Sequence, residues 1–436
     1  MADEGRDDQL GTRMRSVATA GAARVGVLLL SVLLVAVTNR LAIDSIGLDA
    51  FGVVNLVVTL SALFPFADLG IGAALMTELP NPTRTRAQIN DLIVRANRVL
   101  STVALVVASV ACGGGFFGAW PQLLGVEDMG FVNSAVTFML LCFAASIRLG
   151  TGARVLVATD RAHLAVISQG VAPVVTLGAT AVAYLTDAGA LAYAVAAPIG
   201  LVAANVAAFC LAKRTTRLPL MRLRITSPLP AGRTLPILRH SLPMLWISIV
   251  TPVMLQSDRV VLAQWGPSAA LASYAVASQL YWPSYSVVTT AASPLWPRFA
   301  AIRARGARIL RPWLLSTAAF AAVGVILAVG LIVATPLYQN FVGASAASDV
   351  GELSILFALL LICQAAITPT FALFTAPSGL RIQAIIVSAA LIVKVSVTLL
   401  LLGPVGAAAP LYGGLSAVCT QAALLLILTP YLLRRM

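Results

Sequence analysis

An all-α, polytopic membrane fold of about twelve transmembrane helices in two pseudo-symmetric six-helix bundles is what this sequence predicts, and three observations predict it. Hydrophobic residues fill 59% of the 436 positions and charged residues only 10%, whereas soluble domains carry about 25% charged residues. Apolar runs of about 20 residues recur along the whole length, each long enough to cross a hydrocarbon layer of about 30 Å as a helix. Arginines gather in alternate gaps between these runs while the other gaps are acidic, the asymmetry of the positive-inside rule.

Residues 1–16 are polar and mixed in charge, and are expected as a disordered cytoplasmic tail. The apolar run that follows is too long for a signal-peptide core and reads as a retained first helix. Spans are then expected near 17–39, 51–78, 97–118, 131–154, 164–185 and 189–212, and again near 241–263, 270–296, 312–336, 353–376, 382–403 and 405–433. The gaps after even-numbered spans hold the cations, among them Arg84, Arg86 and Arg95, Arg161, Lys213 to Arg239, Arg298 to Arg311, and Arg381. Those gaps and both termini are therefore placed in the cytoplasm, with the chain in a cytoplasmic membrane. The opposite gaps hold Asp44, Asp49, Glu127, Asp128, Asp187, Asp349 and Glu352, with Arg40 at the border of the first. They are short, which leaves little room for the catalytic loop of a membrane polymerase, ligase or glycosyltransferase.

The polar stretch 213–240 divides the chain near its middle and reads as a cytoplasmic linker between an N-terminal bundle at 17–212 and a C-terminal bundle at 241–436. A weak internal repeat supports the division. Asn39-Arg40-Leu41-Ala42-Ile43, then Gly47, reappears as Asp258-Arg259-Val260-Val261-Leu262, then Gly266, at a constant offset of 219. An aromatic-small pair follows each, Phe51-Gly52 and Tyr274-Ala275. Repeats of this kind are typical of transporters.

Catalytic and metal chemistry find no foothold. The net charge of +13 would suggest nucleic acid in a soluble protein, but here the cations belong to the cytoplasmic gaps, so no nucleic-acid partner is expected. Two histidines, His163 and His240, sit at span boundaries and cannot form a histidine metal motif. Five cysteines lie in or at the ends of spans without C-x-x-C spacing and read as inert thiols. Gly113-Gly114-Gly115 lies within a span and reads as a site of close helix packing. No catalytic residue, metal or cofactor is expected, and the chain is not read as an enzyme. Prolines at 173, 198, 243, 252, 283, 294 and 369 kink the spans, as a rocking transporter uses but static bundles also show.

Ionisable residues inside the spans carry the functional information, because a charge near mid-membrane costs about 2.5–3.5 kcal/mol on insertion scales unless it is paired or hydrated. Asp258 and Arg259 lie about 24 Å along the helix from the expected cytoplasmic start of span 7, toward the outer side. Arg40 occupies the equivalent depth in span 1, where snorkelling to the interface is the competing reading. Lys394 falls near the middle of span 11, too deep to reach water along its stem, and is expected to face a hydrated cavity. Arg24 lies two turns into span 1, where snorkelling and a cavity role weigh equally. Asp68, between Pro65 and Gly70, reads first as a cap or an ion-pair partner and second as a coupling carboxylate, as does Asp258. The deep residues are mostly cationic, which favours an anionic ligand group such as a pyrophosphate.

Ile46-Gly47-Leu48-Asp49-Ala50-Phe51-Gly52, followed by Asp68-Leu69-Gly70-Ile71-Gly72-Ala73-Ala74-Leu75, resembles the first two helices of Wzx-type bacterial polysaccharide flippases. Ser241-Leu242-Pro243, Asp258 to Leu262 and Tyr274-Ala275-Val276-Ala277 are similar to that family's seventh and eighth helices. Gly403 to Ala409 resembles the turn before its last helix. The wider superfamily includes multidrug and toxin extruders and peptidoglycan-precursor flippases. The resemblance implies two bundles around a central cavity and flipping of a polyprenyl-pyrophosphate-linked oligosaccharide, the repeat unit of a cell-surface polysaccharide, by alternating access. It further implies that Arg40, Arg259, Lys394 and Arg24 hold the head group while the prenyl tail stays among membrane lipids, and that a glycan polymerase and glycosyltransferases of the same pathway are partners. A multidrug or metabolite cation antiporter on the same fold is the alternative; it should show acidic residues deep in the first bundle, where Asp68 is the one candidate. A membrane enzyme of glycan assembly is the third reading.

Overall fold

A computed structural model describes residues 4–63, 71, 75, 79, 85–126, 129–159, 161–216, 218, 220, 235–292, 294, 295, 298, 299, 302, 309–344, 349–374 and 377–433. Within these, side chains are described from Gly26 onward, except at 61–63, 235–242, 244, 268, 377, 378, 426 and 428–433.

The described residues are helical almost throughout. The first assignment, α1 (Glu4–Leu63), is two helices broken at Gly47, whose φ of 77° and ψ of 170° only glycine adopts readily. The N-terminal half continues with α2 (Arg86–Phe116), the short α3 (Ala119–Leu124), α4 (Val132–Leu149), α5 (Thr151–Ala158), α6 (Ala162–Gln169), α7 (Val171–Leu185) and α8 (Ala190–Thr216). The C-terminal half has α9 (Leu235–Trp265), α10 (Ser268–Ala292), α11 (Leu310–Val342), α12 (Val350–Leu373), α13 (Pro377–Val405) and α14 (Ala409–Leu433). Nine segments among the described residues are long and apolar enough to cross a membrane. Two of these, Gly26–Leu60 and Gly379–Leu425, each contain a turn, at Gly47 and at the 3-10 segment Gly406–Ala408. Each therefore holds parts of two expected spans. Helix α10 is not among the nine, because its Tyr, Ser and Thr residues dilute its apolar character.

Boundaries differ from the sequence expectation where nothing stops a helix. The helix of span 1 runs past residue 39, through Arg40 to Ile46, and turns only at Gly47, the first residue able to take a positive φ. By contrast, α13 runs through Pro404, a residue type that usually ends a helix, and turns at Gly406, with φ 52°. At its other end α1 reaches back to Glu4, through the stretch expected as a tail. Spans 4 and 5 each break into two helices at a glycine, Gly150 and Gly170. Thr85 starts α2 with a capping box: its hydroxyl accepts from Gln88 N at 3.4 Å and its N–H donates to Gln88 Oε1 at 3.0 Å.

Close packing locates the glycines expected to provide it. A Cβ on Gly114 would stand 2.3 Å from the Trp120 ring and one on Gly115 2.4 Å from Thr137 Oγ1, so α3 folds back on α2 there. Gly113 faces open space. Large apolar side chains point outward around the bundle, among them Leu33, Phe116, Leu185, Ile326 and Leu400, as a lipid-facing surface requires.

Among the described residues, the first half enters a shared core from the end that carries its turn at Gly47. A single apolar cluster joins Ala42, Phe51, Val132 and Tyr193 of the first half to Leu262, Tyr274, Leu361 and Ala409 of the second. A separate cluster joins Ile93, Leu156 and Phe209 of the first half to Leu220 of the stretch after it, and another, Met254, Ala390 and Ala417, belongs to the second half. The fused end is the one that carries Gly47, Gly125 and Gly406, the side expected to face outward.

Candidate functional site

Three charged residues are buried among the described residues, Asp258, Arg259 and Lys394, and all three meet in one place. Helix α9 supplies the first two, and adjacent helical residues diverge by about 100°. Asp258 therefore points into the C-terminal bundle while Arg259 points toward the N-terminal one.

Asp258 Oδ1 lies 2.6 Å from Lys394 Nζ, with the side chains only 8% and 6% exposed. Its other oxygen, Oδ2, accepts the Tyr274 hydroxyl at 2.6 Å. The Lys394 ammonium also donates to the carbonyl of Met254, one turn before Asp258 on the same face of α9. Gln421 reaches the same turn from α14, its Nε2 lying 3.6 Å from Met254 Sδ. Both carboxylate oxygens are thus occupied, and the pair has the geometry and added hydrogen bonds that a desolvated ion pair needs.

Arg259 is held differently. One terminal nitrogen donates to Thr59 Oγ1 on α1 and the other to Ser278 Oγ on α10 at 2.7 Å, while Nε, also buried, has no hydrogen-bond partner. Ser278 in turn donates to the Ala275 carbonyl at 2.9 Å. The guanidinium therefore bridges the two halves through neutral hydroxyls, with no carboxylate in direct contact. The three charges sum to +1.

Around the carboxylate, Tyr274, Tyr281 and Phe357 pack ring to ring, Tyr274 and Tyr281 each within 5.2 Å of Phe357 by centroid, and Tyr281 hydrogen-bonds to Gln364. The void left among these groups is about 20 Å³, room for a single water. In this conformation no diphosphate fits beside Lys394, so the expected hydrated cationic cavity is absent at that position. Lys394 was also expected deeper than Arg259. Its ammonium spans the turn from Met254 to Asp258, next to Arg259 on α9.

Larger cavities lie on the N-terminal side. One of about 400 Å³ is walled by both limbs of α1 with α7 and α8, and another of about 290 Å³ separates α1 from α10. Ser31, Val35 and Gln279 line both.

Arg40 is not part of the Arg259 cluster. It is exposed at the fused end, its guanidinium carbon 5.2 Å from the centre of the Phe341 ring. Repeat-related residues have therefore taken different roles, although Asn39 and Asp258 still share one: each is held by a tyrosine, Asn39 Nδ2 donating to Tyr338 OH at 2.8 Å. The side chain of Arg24 and the whole of Asp68 lie outside the described residues. Sequence reasoning gave Tyr274 a place in the repeat but no role in the site, and passed over Ser278 and Tyr281, which share its face of α10 at i+4 and i+7; that polar face on a helix otherwise rich in small residues was the available signal.

Contacts between the halves collect at the fused end. Gln264 Nε2 donates to the Leu123 carbonyl at 2.7 Å, a Cβ on Gly125 would stand 2.4 Å from Gln264 Cα, and one on Gly52 3.0 Å from Ala272 Cα. Together with Asn39–Tyr338 and Arg259–Thr59, these bonds form a clasp that would have to open for this end to part.

No protein-family model and no curated protein matches the sequence. Solved structures match its shape. An inward-facing multidrug resistance MATE family transporter of the MOP superfamily aligns with a TM-score of 0.76 at 11% identity, covering 95% of this chain and 99% of the other. The lipid II flippase MurJ, in an inward closed conformation, gives 0.68 at 13% identity over 92% and 86%. A eukaryotic MATE transporter gives 0.59 at 16% identity over 96% of both chains. This polytopic, all-helical chain therefore has the fold shared by MATE transporters and the MurJ flippase.

Proposed function

We propose that the chain flips a polyprenyl-pyrophosphate-linked oligosaccharide across a bacterial cytoplasmic membrane by alternating access between its two halves, 17–212 and 241–436. The observation that carries the reading is the sign of the buried charge. Among the described residues it comprises two cations and one carboxylate, and that carboxylate is already neutralised by Lys394. A cationic cargo would find no available counter-charge there, whereas an anionic head group would find Arg259.

Arg259 is the residue best suited to meet it. In the described conformation its guanidinium is held across the halves by the hydroxyls of Thr59 and Ser278. An anion adds Coulombic attraction to the hydrogen bonds of a guanidinium, which a neutral hydroxyl cannot supply. A diphosphate entering as the halves part would displace Thr59 and thereby favour the open state, since a ligand shifts an equilibrium by its differential affinity. Lys394 keeps Asp258 paired through the cycle, a positioning role in place of the head-group contact expected from sequence. Arg40, at the predicted outer end, stands where a departing head group would pass. No bond is made or broken, so no catalytic residue or cofactor enters.

Export of a multidrug-type cation is the second reading, favoured by the likeness to the MATE fold. Proteoliposomes decide between them. With a fluorescent lipid-linked oligosaccharide in the membrane, the protein should raise the fraction reached by an impermeant quencher, and Arg259→Gln should remove most of the gain. Exchange of tetraphenylphosphonium without any movement of the glycolipid would overturn the proposal.

A further inference from the structure

The 400 Å³ cavity of the N-terminal half contains no charged residue in its wall, although it lies within one helix of the ion network. Its polar groups are hydroxyls and amides. Several are already committed: Ser31 and Thr38 donate to the carbonyls of Val27 and Leu34, and Asn39 donates to Tyr338. Two are not. The side-chain oxygen of Asn55 and the hydroxyl of Tyr193 are buried without any hydrogen-bond partner, and Tyr193 is only 3% exposed. Buried polar groups are nearly always satisfied, so two orphans on one cavity wall point to a ligand.

Their chemistry defines its class. Asn55 Oδ1 can only accept, so the ligand must bring an O–H or N–H donor; the Tyr193 hydroxyl can donate to a carbonyl or hydroxyl oxygen. The remaining wall, with Phe51, Val54, Val58 and Leu201, is apolar and suits a methyl group. A charged ligand would be desolvated there without a partner. A purely hydrocarbon guest would leave both orphans unsatisfied. The volume lies within the usual range for small-molecule sites, about 300–1,000 Å³.

We infer that this cavity binds an uncharged sugar unit, an acetamido sugar matching best, because its amide supplies a donor, an acceptor and a methyl group together. The inference rests on the reading of the chain as an oligosaccharide-lipid flippase and divides the cargo between two places, the anionic group at Arg259 and a neutral sugar in the N-terminal cavity. The same helices link the two. Asn55 lies one turn from Thr59, which holds Arg259, and Asn39 of the cavity wall joins the clasp through Tyr338. Occupancy of the cavity thus bears directly on the bonds between the halves.

The test is binding, with no transport measured, so it can fail independently of the flippase reading. Purified full-length protein in detergent is examined by saturation-transfer NMR with methyl N-acetyl-glucosaminide, with glucuronate and tetraphenylphosphonium as competitors. The neutral sugar should give a signal that neither competitor reduces. Tyr193→Phe, which removes one oxygen and leaves the packing intact, should weaken binding about fivefold, the usual effect of one hydrogen bond. Ala197→Phe, which fills the cavity, should abolish it. The inference is overturned if the sugar gives no signal, if both variants bind as well as the parent, or if either charged competitor displaces it.

Discussion

Removing Lys394 alone should damage the protein far more than removing Lys394 and Asp258 together. The two are 2.6 Å apart with side chains 6% and 8% exposed, so neither can turn to water when its partner is lost. Breaking a buried pair from one side costs about 3–5 kcal/mol, whereas replacing both members with uncharged groups of similar volume is near neutral. Lys394→Met retains the stem and should cost about 3–5 kcal/mol, because Asp258 keeps only the Tyr274 hydroxyl. Asp258→Asn preserves an acceptor for that hydroxyl and should cost a similar amount by stranding the ammonium beside the Met254 carbonyl. The double variant should lie within about 1 kcal/mol of the parent, a coupling of about 5 kcal/mol or more, well beyond the additivity error of independent sites. Denaturation in mixed micelles, followed by near-ultraviolet circular dichroism, gives all three values. The double variant should also flip substrate, because Lys394 does not touch the cargo. Strictly additive losses would refute the pairing, and a stable double variant that cannot flip would restore the head-group role expected from sequence.

Other perturbations probe the clasp and the turns. Arg259→Lys replaces a fork that spans two hydroxyls with a point donor, and should slow flipping about tenfold while the folded fraction stays unchanged. Gly125→Ala combines a φ of +66° with a Cβ 2.4 Å from Gln264 Cα, so it should loosen the fused end; faster maleimide labelling of Ala272→Cys in a cysteine-free background would show it. Gly47→Ala should cost about 1–3 kcal/mol in the same micelle denaturation, since the φ 77°, ψ 170° turn is essentially reserved for glycine. Arg40→Ala should cost only about 0.5–1 kcal/mol, the usual worth of an exposed cation over an aromatic ring, and leave flipping nearly intact.

Much of this architecture is legible in the sequence because lipid imposes strong rules. Apolar runs place the helices. The runs do not say where a helix ends when no breaker is present, which is why α1 continues to Gly47, and a breaker does not always end one, since α13 passes Pro404. Depth and burial cost single out Asp258, Arg259 and Lys394. Their pairing is not legible, because it depends on α9 and α13 being adjacent, and hydropathy carries no information about neighbours. Arg40 shows the converse limit: a repeat preserves position along a helix, but the facing surface, here Phe341 of α11, decides what the side chain does. The neutral N-terminal cavity escapes sequence reading altogether, since Asn55 and Tyr193 are ordinary residues on ordinary helices until their orphaned atoms are seen to share a wall.

The most direct measurement ties the clasp shut and reads transport. Leu123→Cys and Gln264→Cys flank the 2.7 Å bond between the halves. In a cysteine-free background the pair can be joined by a short cleavable bifunctional reagent, and flipping of a fluorescent lipid-linked oligosaccharide followed in proteoliposomes. Flipping should stop on cross-linking and return on cleavage of the reagent. Glycolipid movement that continues with the halves tied, or that never occurs with the clasp free, would contradict the alternating-access account.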